Sequence, residues 1–567
     1  MISKKDFLSS IFFVLFISVH LEGKVQLGID LLQSKKFSII KKKKVALLTN
    51  TSAVDSEGNF VLDIFAKSKD FQLKIVLLPE HNGNFDDKKL EELRKNGITI
   101  HCTHTPTGRS PLIEWLREVD VVVADMQDIG MRYYTHSSSV LYAMIRAFEA
   151  DKEFIILDRP NPLGDYMGGP TMDEKYLCFL GPIPKEPLFH GMTIGEKANY
   201  VKNCGKKFEV KCNCGMTGCA HGVFCSTTTL KKGKLTIVEI KGWNRKKTLV
   251  EAGLHTMDSF IPMSPAIQNV ASIFEYATIS LPLLAGSSYI NFFAAVENIR
   301  SANCRFKYFY SPCLSPNSLL GKINEEHSFM LKGCKLTATQ IDMANGTKMD
   351  CLELSVTNFS ASEPAGLSLV LLAEAQEWVP ECDWEIFEKK VSFEEKVSSP
   401  VSFPQIMLIP TLSAPIYDLK SLDSMEIPVL FTPIYDLKPL VQQNNLKRER
   451  WNRLIKWQFK HIGNDEFKLF GPSNSPQTVA TLIPNKTSPT PIRDLKNLTL
   501  VQRKDLRKAK WDRLTKLQRE LIAKHIGDDE FVSNLFSGES IDVIHFRNKW
   551  SREATSFYNK TKKYYFY

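Results

Sequence analysis

Short runs of apolar, mostly β-branched residues alternate with helical patterns in the first third of the chain. Four such runs predict strands. They are Val45–Asn50, Lys74–Glu80, Val119–Asp125 and Glu153–Asp158. Helical periodicity separates them, as in Asp87–Asn96 and Ser139–Ala150. Because nearly continuous apolar strands separated by helices are typical of a sheet covered on both faces, we predict an α/β domain built on a mostly parallel sheet.

Polar residues follow each predicted strand. Asn50 ends the first strand, Glu80 the second and Asp158 the fourth, and Asp128 comes shortly after the third. Since ligands of open parallel sheets bind outside the carboxyl ends of the strands, we expect these side chains to line one crevice. The alternative is that each of them only caps the helix that follows.

Glu80 is the residue that we expect to carry chemistry in this crevice. It follows an apolar strand and Pro79, where partial burial would favour the protonated form that a general acid needs. The alternative interpretation is a helix cap or a surface carboxylate. The first strand is not followed by a glycine-rich phosphate-binding loop, and no Gly-x-Ser-x-Gly turn is found. We therefore predict no nucleotide cofactor and no serine-hydrolase chemistry.

The composition is that of an ordinary globular protein, with 43% hydrophobic and 24% charged residues. With 567 residues the chain is long enough for two or three domains. The net charge of +10 is concentrated in two stretches, Lys447–Lys460 and Arg503–Lys524, and the rest of the chain is nearly neutral. Because a nucleic-acid-binding protein would spread its basic surface over the folded body, we predict no nucleic-acid partner.

The first residues predict export. Lys4 and Lys5 precede an apolar run from Phe7 to Val19, which is short for a membrane span and fits the apolar core of a signal peptide. We predict a signal peptide over residues 1–23, a periplasmic or secreted protein, and no further membrane span. The alternative is a buried N-terminal helix or an uncleaved anchor.

Twelve cysteines are present, and five of them crowd into one segment. These are Cys204, Cys212, Cys214, Cys219 and Cys225. In an exported chain they are expected to form local disulfides or to stay reduced. His221 makes a zinc site the alternative, but the paired Cys-x-x-Cys ligands of such sites are missing, and we predict no metal.

Six motifs, in order along the chain, resemble those of the NamZ-type exo-β-N-acetylmuramidases, a family long filed as a domain of unknown function. They are Leu48–Asp55, Pro79–His81, Gln127–Thr135, Asp158–Gly164, His190–Glu196 and Gly242–Arg245. The resemblance implies a Rossmann-like catalytic domain, here residues 25–240, and a smaller α+β C-terminal domain formed by residues 241–390 and a closing helix in residues 530–567. It also implies removal of N-acetylmuramic acid from the non-reducing end of peptidoglycan fragments.

The resemblance assigns roles to individual residues. The glutamate of the Pro-Glu-His motif is the candidate catalytic acid of the family, and here it is Glu80. Asp128 is our candidate for the second catalytic group, and assistance by the acetamido oxygen of the substrate is the alternative. Arg132 is expected to bind the lactyl carboxylate through its fork geometry. The other expected substrate-binding residues are Asn50, His81, Gln127, Tyr133, Asp158, Arg159, Asn161 and His190.

Residues 391–529 are expected to be an insertion that contains a repeat. A Pro-Ile-x-Asp-Leu-Lys hexapeptide recurs at 415–420, 433–438 and 491–496. The last two copies lead into basic amphipathic stretches that end in His461–Phe467 and His525–Phe531. Because one such helix cannot bury its own apolar face, we expect the copies to pack together. The alternative is a protein partner or the anionic surface of the cell envelope.

This chain also differs from the family at several positions. Gly168-Gly169-Pro170 and Ala285–Phe293 lack glutamates that the family carries there. These losses favour a second interpretation, in which catalysis has been lost and the protein is a glycan-binding or protein-interaction module. The retained Glu80, Asp128 and Arg132 favour an active hydrolase.

A third interpretation, a zinc amidase, would use His81, His101 and His104. The spacing of His101 and His104 supplies two ligands only and lacks the local carboxylate of the usual metalloprotease pattern.

Overall fold

The computed structural model describes residues 25–103, 112–206, 208–210, 223–225, 227–247, 249, 252–254, 260–264, 267–286, 306–310, 315–343, 348–378, 409–411, 430–432, 499–512 and 516–567. The predicted signal peptide lies outside these residues, and so do the three hexapeptides and the first basic stretch. The same holds for Cys212, Cys214, Cys219 and His221 of the cysteine-rich segment. Cys204, at the start of that segment, is a free thiol.

The described strands and helices follow one another along the chain in a largely alternating order. The strands are β1 (Lys44–Thr49), β2 (Gln72–Leu78), β3 (Thr99–Cys102), β4 (Val121–Asp125), β5 (Glu153–Leu157), β6 (Met167–Thr171), β7 (Pro187–His190), β8 (Phe208–Val210), β9 (Val223–Cys225), β10 (Leu235–Val238), β11 (Tyr308–Phe309), β12 (Cys334–Asp342), β13 (Lys348–Val356), β14 (Ile409–Thr411) and β15 (Leu430–Thr432). The helices are α1 (Gly28–Ser34), α2 (Val61–Lys67), α3 (Asp87–Lys95), α4 (Leu112–Leu116), α5 (His136–Glu149), α6 (Ile194–Asn203), α7 (Thr227–Lys232), α8 (Val270–Gly286), α9 (Pro316–Glu326), α10 (Pro364–Trp378), α11 (Leu500–Asp512), α12 (Lys516–Ile526), α13 (Asp529–Ser537) and α14 (Val543–Thr561).

A parallel sheet of order β10-β5-β4-β1-β2-β3 forms the centre of the N-terminal region. Successive residues of β1 point to opposite faces of this sheet, and both faces are covered. Ala46 and Leu48 pack with the α4, α5 and α6 side of the core. Val45 and Leu47 pack with the α1, α2 and α3 side. The predicted α/β class and the mostly parallel sheet are therefore confirmed.

The C-terminal region is smaller and combines an antiparallel sheet with helices. Its strands pair in the order β11-β13-β12. Helices α8 and α10 pack on each other, and α14 packs along β6 and α10. Phe531 of α13 and Phe546 and Trp550 of α14 form an aromatic cluster, with ring centroids of Phe531 and Phe546 4.8 Å apart. None of the described helices is both long enough and apolar enough to cross a lipid bilayer.

The chain divides into two compact units. One contains the described parts of residues 1–393 and 503–567, and the other those of residues 394–502. Within the second unit, β14 and β15 form an antiparallel pair. The helix α12 belongs to the predicted insertion but lies in the first unit. Its last carbonyls accept hydrogen bonds from Arg132 of the motif Gln127–Thr135. Trp511, just before α12, is fully buried with its ring 5.3 Å from that of Phe536.

Candidate functional site

The carboxyl ends of the central strands lie side by side at one edge of the sheet. Thr49 of β1 is the register partner of Asp125 in β4, and Leu48 is the partner of Leu77 in β2. The residues that follow these strands therefore emerge at the same edge, as expected for a parallel sheet. The structure thus gathers the polar segments after β1, β2, β4 and β5 around one crevice.

Glu80 begins a short 3-10 turn, Glu80–Asn84, directly after β2. Its side chain is half-buried, and its Oε2 accepts a hydrogen bond of 3.1 Å from the hydroxyl of Thr135. Thr135 precedes α5 without capping that helix, so its hydroxyl is directed to Glu80 instead. The amide of Thr51 donates to the carbonyl of Gly83, which ties the turn to the loop after β1. The side chain of His81, in the same turn, is outside the described part of the structure.

The first turn of α5 meets the loops after β1 and β4. His136 is buried, and its Nδ1 lies 3.1 Å from the carbonyl oxygen of Gln127 and 3.4 Å from Nδ2 of Asn50. Because a carbonyl only accepts, the 3.1 Å contact is made by a proton on Nδ1. Asn50 in turn accepts a hydrogen bond of 3.0 Å from Ser52. His136 was not predicted as a site residue, although it directly follows the motif Gln127–Thr135.

Asp128 and His190 face each other beneath the crevice. His190 Nε2 lies 3.7 Å from Asp128 Oδ2, and both residues are buried. The amide of Met192 donates to His190 Nδ1 over 3.2 Å, so the neutral ring carries its proton on Nε2, toward Asp128. Burial lowers the pKa of His190 to about 3. Burial raises the pKa of Asp128, and the charges of Lys197 and His136 oppose that rise.

Tyr134 lies near both predicted catalytic carboxylates, Glu80 and Asp128. Burial raises the pKa of its phenol, and the negative charges of Asp128 and Glu80 raise it further. Its ring lies edge-on to His136, with centroids 4.5 Å apart, and to Tyr276 of α8, with centroids 6.1 Å apart. One phenol therefore lies within the electrostatic reach of both carboxylates, so the structure brings Glu80 and Asp128 into the same neighbourhood.

A small pocket of about 10 Å³ adjoins Asp128, which is room for one water molecule. It is lined by residues of the loops after β4 and β5 and of the start of α6. These are Met126, Asp128, Gly130, Arg159, Pro160, Asn161, Met192, Thr193 and Ile194. A sugar ring is far larger than this space. In this arrangement Asp128 faces a water-sized cavity, whereas Glu80 is partly exposed.

Arg132 makes a different contact from the one predicted. Its side chain is fully buried, and its guanidinium donates to the carbonyl oxygens of Ile526 at 2.7 Å and His525 at 2.9 Å. A longer contact of 3.4 Å reaches the carbonyl of Lys524. These are carbonyls at the end of α12, which a cation stabilises through hydrogen bonds and the helix dipole. In this structure both terminal nitrogens of Arg132 are therefore bonded to a helix end, and its contact with a substrate carboxylate stays a prediction.

Tyr133 and Asp158 also make internal contacts. The hydroxyl of Tyr133 lies 2.6 Å from that of Ser280 in α8, and burial raises the pKa of the phenol. Asp158 accepts hydrogen bonds from the Thr193 hydroxyl at 2.6 Å and from the Tyr567 hydroxyl at 2.9 Å. Burial raises the pKa of Asp158 to about 7. Both side chains connect the crevice loops to elements far away in the sequence, where we had expected substrate contacts.

The remaining predicted binding residues hold the loops in place. Arg159 is paired with Asp125 and donates to the carbonyl of Val54 over 2.7 Å. Asn161 Oδ1 accepts from the amide of Leu163 at 2.9 Å.

Two further loop contacts complete this arrangement. Gln127 Nε2 donates to the carbonyls of Asp128 at 2.8 Å and Pro160 at 2.9 Å. Gly130 has a φ of +81°, and a Cβ there would lie 2.1 Å from Asn161 Oδ1, so this position of the motif requires glycine.

Among the described residues, one group could supply three metal ligands: Glu326, His327 and Glu374. It lies on α9, just beyond it, and on α10, and the ammonium of Lys322 is 2.7 Å from Glu374 Oε2 and already compensates that carboxylate. The ring of His101 stacks on Trp115 with centroids 3.4 Å apart, and burial lowers its pKa to about 4. The other histidine of the amidase interpretation, His104, lies outside the described residues.

Comparison with known proteins agrees with the motifs. Residues 45–271 match the family model described as exo-beta-N-acetylmuramidase NamZ, N-terminal. The chain is 28% identical over 366 residues to the peptidoglycan beta-N-acetylmuramidase NamZ of Bacillus subtilis (strain 168), which covers 63% of this chain and 79% of that protein. A crystal structure of a DUF1343 family protein from Bacteroides fragilis NCTC 9343 matches with a TM-score of 0.51 and 24% identity, over 65% of this chain and 85% of that one.

The family match and the motifs coincide on the same residues. The matched range 45–271 contains all six motifs and every residue of the crevice that follows β1, β2, β4 and β5. The solved relative supports the fold, and the curated relative supports a glycoside hydrolase role at the level of the family. The predicted resemblance is confirmed: residues 45–271 match the N-terminal model of the exo-β-N-acetylmuramidase NamZ, and the chain is similar to a curated member over most of that protein's length.

Proposed function

We propose that this protein is an exo-acting β-N-acetylmuramidase that releases N-acetylmuramic acid from the non-reducing end of peptidoglycan fragments. The observation that carries the proposal is the placement of Glu80. It lies at the carboxyl edge of the sheet, half-buried, with the hydroxyl of Thr135 directed to its carboxyl group. A single partly exposed carboxyl group in a crevice of buried polar residues suits proton donation to a sugar.

In the proposed reaction Glu80 acts as general acid. It gives its proton to the oxygen that bridges C1 of the muramic acid residue and the next sugar, and the C1–O bond breaks. The next sugar leaves with that proton as an alcohol. Glu80, now a carboxylate, then takes a proton from the water whose oxygen forms the new bond to C1. The products are free N-acetylmuramic acid and a fragment that is shorter by one sugar.

The burial of Asp128 favours an indirect role for this second carboxylate. Its side chain borders a cavity with room for one water, so direct attack on a sugar carbon is not open to it in this arrangement. The acetamido oxygen of the substrate, the alternative for the second catalytic role, then attacks C1 and is displaced by water. Positive charge develops on the sugar in the transition state, and Asp128 stabilises it with negative charge from behind the crevice.

The proposal includes export. Peptidoglycan lies outside the cytoplasmic membrane, and the apolar run after Lys4 and Lys5 is the feature that supports export. The proposed reaction uses protein side chains, the substrate and water, and it calls for no cofactor. A protein partner for residues 391–529 stays a prediction.

A chromogenic β-N-acetylmuramide tests the proposal. We expect the wild-type protein to release the chromophore and Glu80→Gln, which keeps the shape of the side chain, to lose about 10²–10⁴-fold in kcat. Glu174→Gln, on an exposed residue, is the matched control and should keep wild-type activity. Muropeptide binding by the wild type without hydrolysis would refute the proposal and support the binding-module interpretation.

A further inference from the structure

A fully buried lysine lies behind the crevice. Lys197 of α6 has no exposed side-chain surface, and its Nζ is 2.8 Å from Oε1 of Glu186, which is also fully buried. The same ammonium group donates to the hydroxyl of Ser137 in α5 over 2.9 Å. Lys197 was not among the predicted site residues, although it directly follows the motif His190–Glu196.

Stability alone is a weak explanation for this ion pair. Removing two charged groups from water is costly, and buried ion pairs can often be replaced by apolar side chains without loss of stability. A buried ion pair beside a site indicates a functional role when one of its members also acts on a third charged group. For Lys197 that third charge is Asp128.

The helix α6 places Lys197 on the side that faces Asp128. Thr193 and Ile194, at the start of this helix, line the small cavity together with Asp128. Lys197 follows Thr193 by four residues, which is one helical turn, and therefore lies on the same side of the helix as Thr193. The charge of Lys197 opposes the effect of burial on the pKa of Asp128 and contributes to the lowered pKa of His190.

The other groups around Asp128 supply less positive charge. His190 is neutral, and its Nε2 lies 3.7 Å from Asp128 Oδ2. His136 and the amides of Ile129 and Gly130 favour the charged carboxylate. Tyr134 faces Asp128 as a neutral phenol. Around Lys197 itself, Glu186 is the ion-pair partner and Ser137 accepts its hydrogen bond. Lys197 thus supplies permanent positive charge near Asp128.

We propose that Lys197 is a positioning residue for the reaction: its buried ammonium group, on the side of α6 that borders the small cavity, keeps Asp128 charged behind the crevice. This inference rests on the proposed function. The fixed negative charge of Asp128 then stabilises the positive charge that develops on the sugar while Glu80 donates its proton. Without Lys197, burial would neutralise Asp128, and the crevice would lose this charge.

The test replaces the whole ion pair, so that no unpaired charge is left in the core. The double variant Glu186→Gln/Lys197→Met is compared with Lys322→Met/Glu374→Gln, which neutralises a less buried pair between α9 and α10, away from the crevice. We expect the first variant to lose at least about tenfold in kcat with little change in KM. Its acid limb in the pH profile should move up by about one unit, because Asp128 must be charged. The control variant should leave both kcat and the acid limb of the pH profile unchanged.

A second measurement is independent of activity. The carboxyl carbon of Asp128 is followed by NMR with ¹³C-labelled aspartate, assigned with Asp128→Asn, as the pH is varied. A titration of Asp128 that moves to higher pH in Glu186→Gln/Lys197→Met supports the inference. An unchanged titration, or a wild-type pH profile in a folded double variant, overturns it. Absence of hydrolysis by the wild type contradicts the proposed function instead, so the two failures are distinguishable.

Discussion

Replacing Arg132 separates a structural role from a substrate-binding role. The sequence predicts that Arg132 binds the carboxylate of the substrate, whereas the structure places its guanidinium on the carbonyls of His525 and Ile526 at the end of α12. Arg132→Met keeps the length and much of the apolar stem of the side chain but removes its charge and every donor. The structure predicts that the protein loses stability, with little direct effect on substrate binding.

The size of this effect follows from the two short hydrogen bonds. They measure 2.7 and 2.9 Å and join a charged donor to one buried and one partly buried carbonyl. Hydrogen bonds to charged groups contribute about 1.5–3 kcal/mol each, so losing two costs about 3–6 kcal/mol. This is a large fraction of the roughly 5–15 kcal/mol by which a folded domain is stable. The uncompensated end of α12 adds to the loss.

Urea unfolding monitored by tryptophan fluorescence measures the change in stability, and steady-state kinetics with a muramide measures KM. Arg519→Met is the matched control, since Arg519 is a partly exposed residue of α12 that donates to Asp512. We expect less than about 0.5 kcal/mol from this surface position. The structural explanation would be wrong if Arg132→Met unfolded like the wild type while its KM rose at least about tenfold.

Three further changes test other parts of the site. Burial raises the pKa of Asp158 from 3.8 to about 7, so the folded protein binds this proton more tightly than the unfolded chain. The resulting stabilisation is complete below about pH 4 and is lost as the pH rises through about 7, and it amounts to roughly 4 kcal/mol at most. The melting temperature of the wild type relative to Asp158→Asn should therefore fall from pH 4 to pH 8, and a constant difference would contradict this. Thr135→Val removes the hydroxyl that donates to Glu80, and it should lower kcat up to about tenfold without changing the stability of the protein. An unchanged kcat would exclude a catalytic role for this hydrogen bond. Gly527 has a φ of +86° and lies against Arg132, so Gly527→Ala should cost about 1–2 kcal/mol in urea unfolding, and a neutral result would show that the turn adapts.

The central sheet could be predicted from the sequence because its strands are buried on both faces. Val121–Asp125 and Glu153–Leu157 are apolar except for one acidic residue each, and they end within a few residues of the predicted strands. The edge strands β3 and β10 were not predicted. They are four residues long and partly exposed, so they carry neither a continuous apolar run nor a clear alternation.

The convergence of the strand ends was also predictable, but the function of each polar residue was not. Asn50, Glu80 and Asp128 do emerge at one edge because parallel strands share their carboxyl ends. Arg132 and Tyr133 were predicted as site residues because they stand in the same motif as Asp128. Their partners, Ile526 and Ser280, are far away in the sequence, and a single chain gives no signal for such contacts.

The motif His190–Glu196 illustrates a different limit of prediction from the sequence. It was recognised, and the structure places His190 beside Asp128 as part of the site. Lys197, one residue beyond the motif, was not predicted as a site residue. Its complete burial depends on Glu186 and Ser137, which reach it from separate elements. Only the packed structure reveals this group.

The most direct test of the central claim is the product released from a defined disaccharide. N-acetylmuramic acid linked β-1,4 to N-acetylglucosamine, with the muramic acid at the non-reducing end, is incubated with the protein and analysed by mass spectrometry. We predict free N-acetylmuramic acid and free N-acetylglucosamine with the wild type, and intact disaccharide with Glu80→Gln. Equal release by folded wild-type and Glu80→Gln proteins would contradict the assignment of Glu80 as the proton donor.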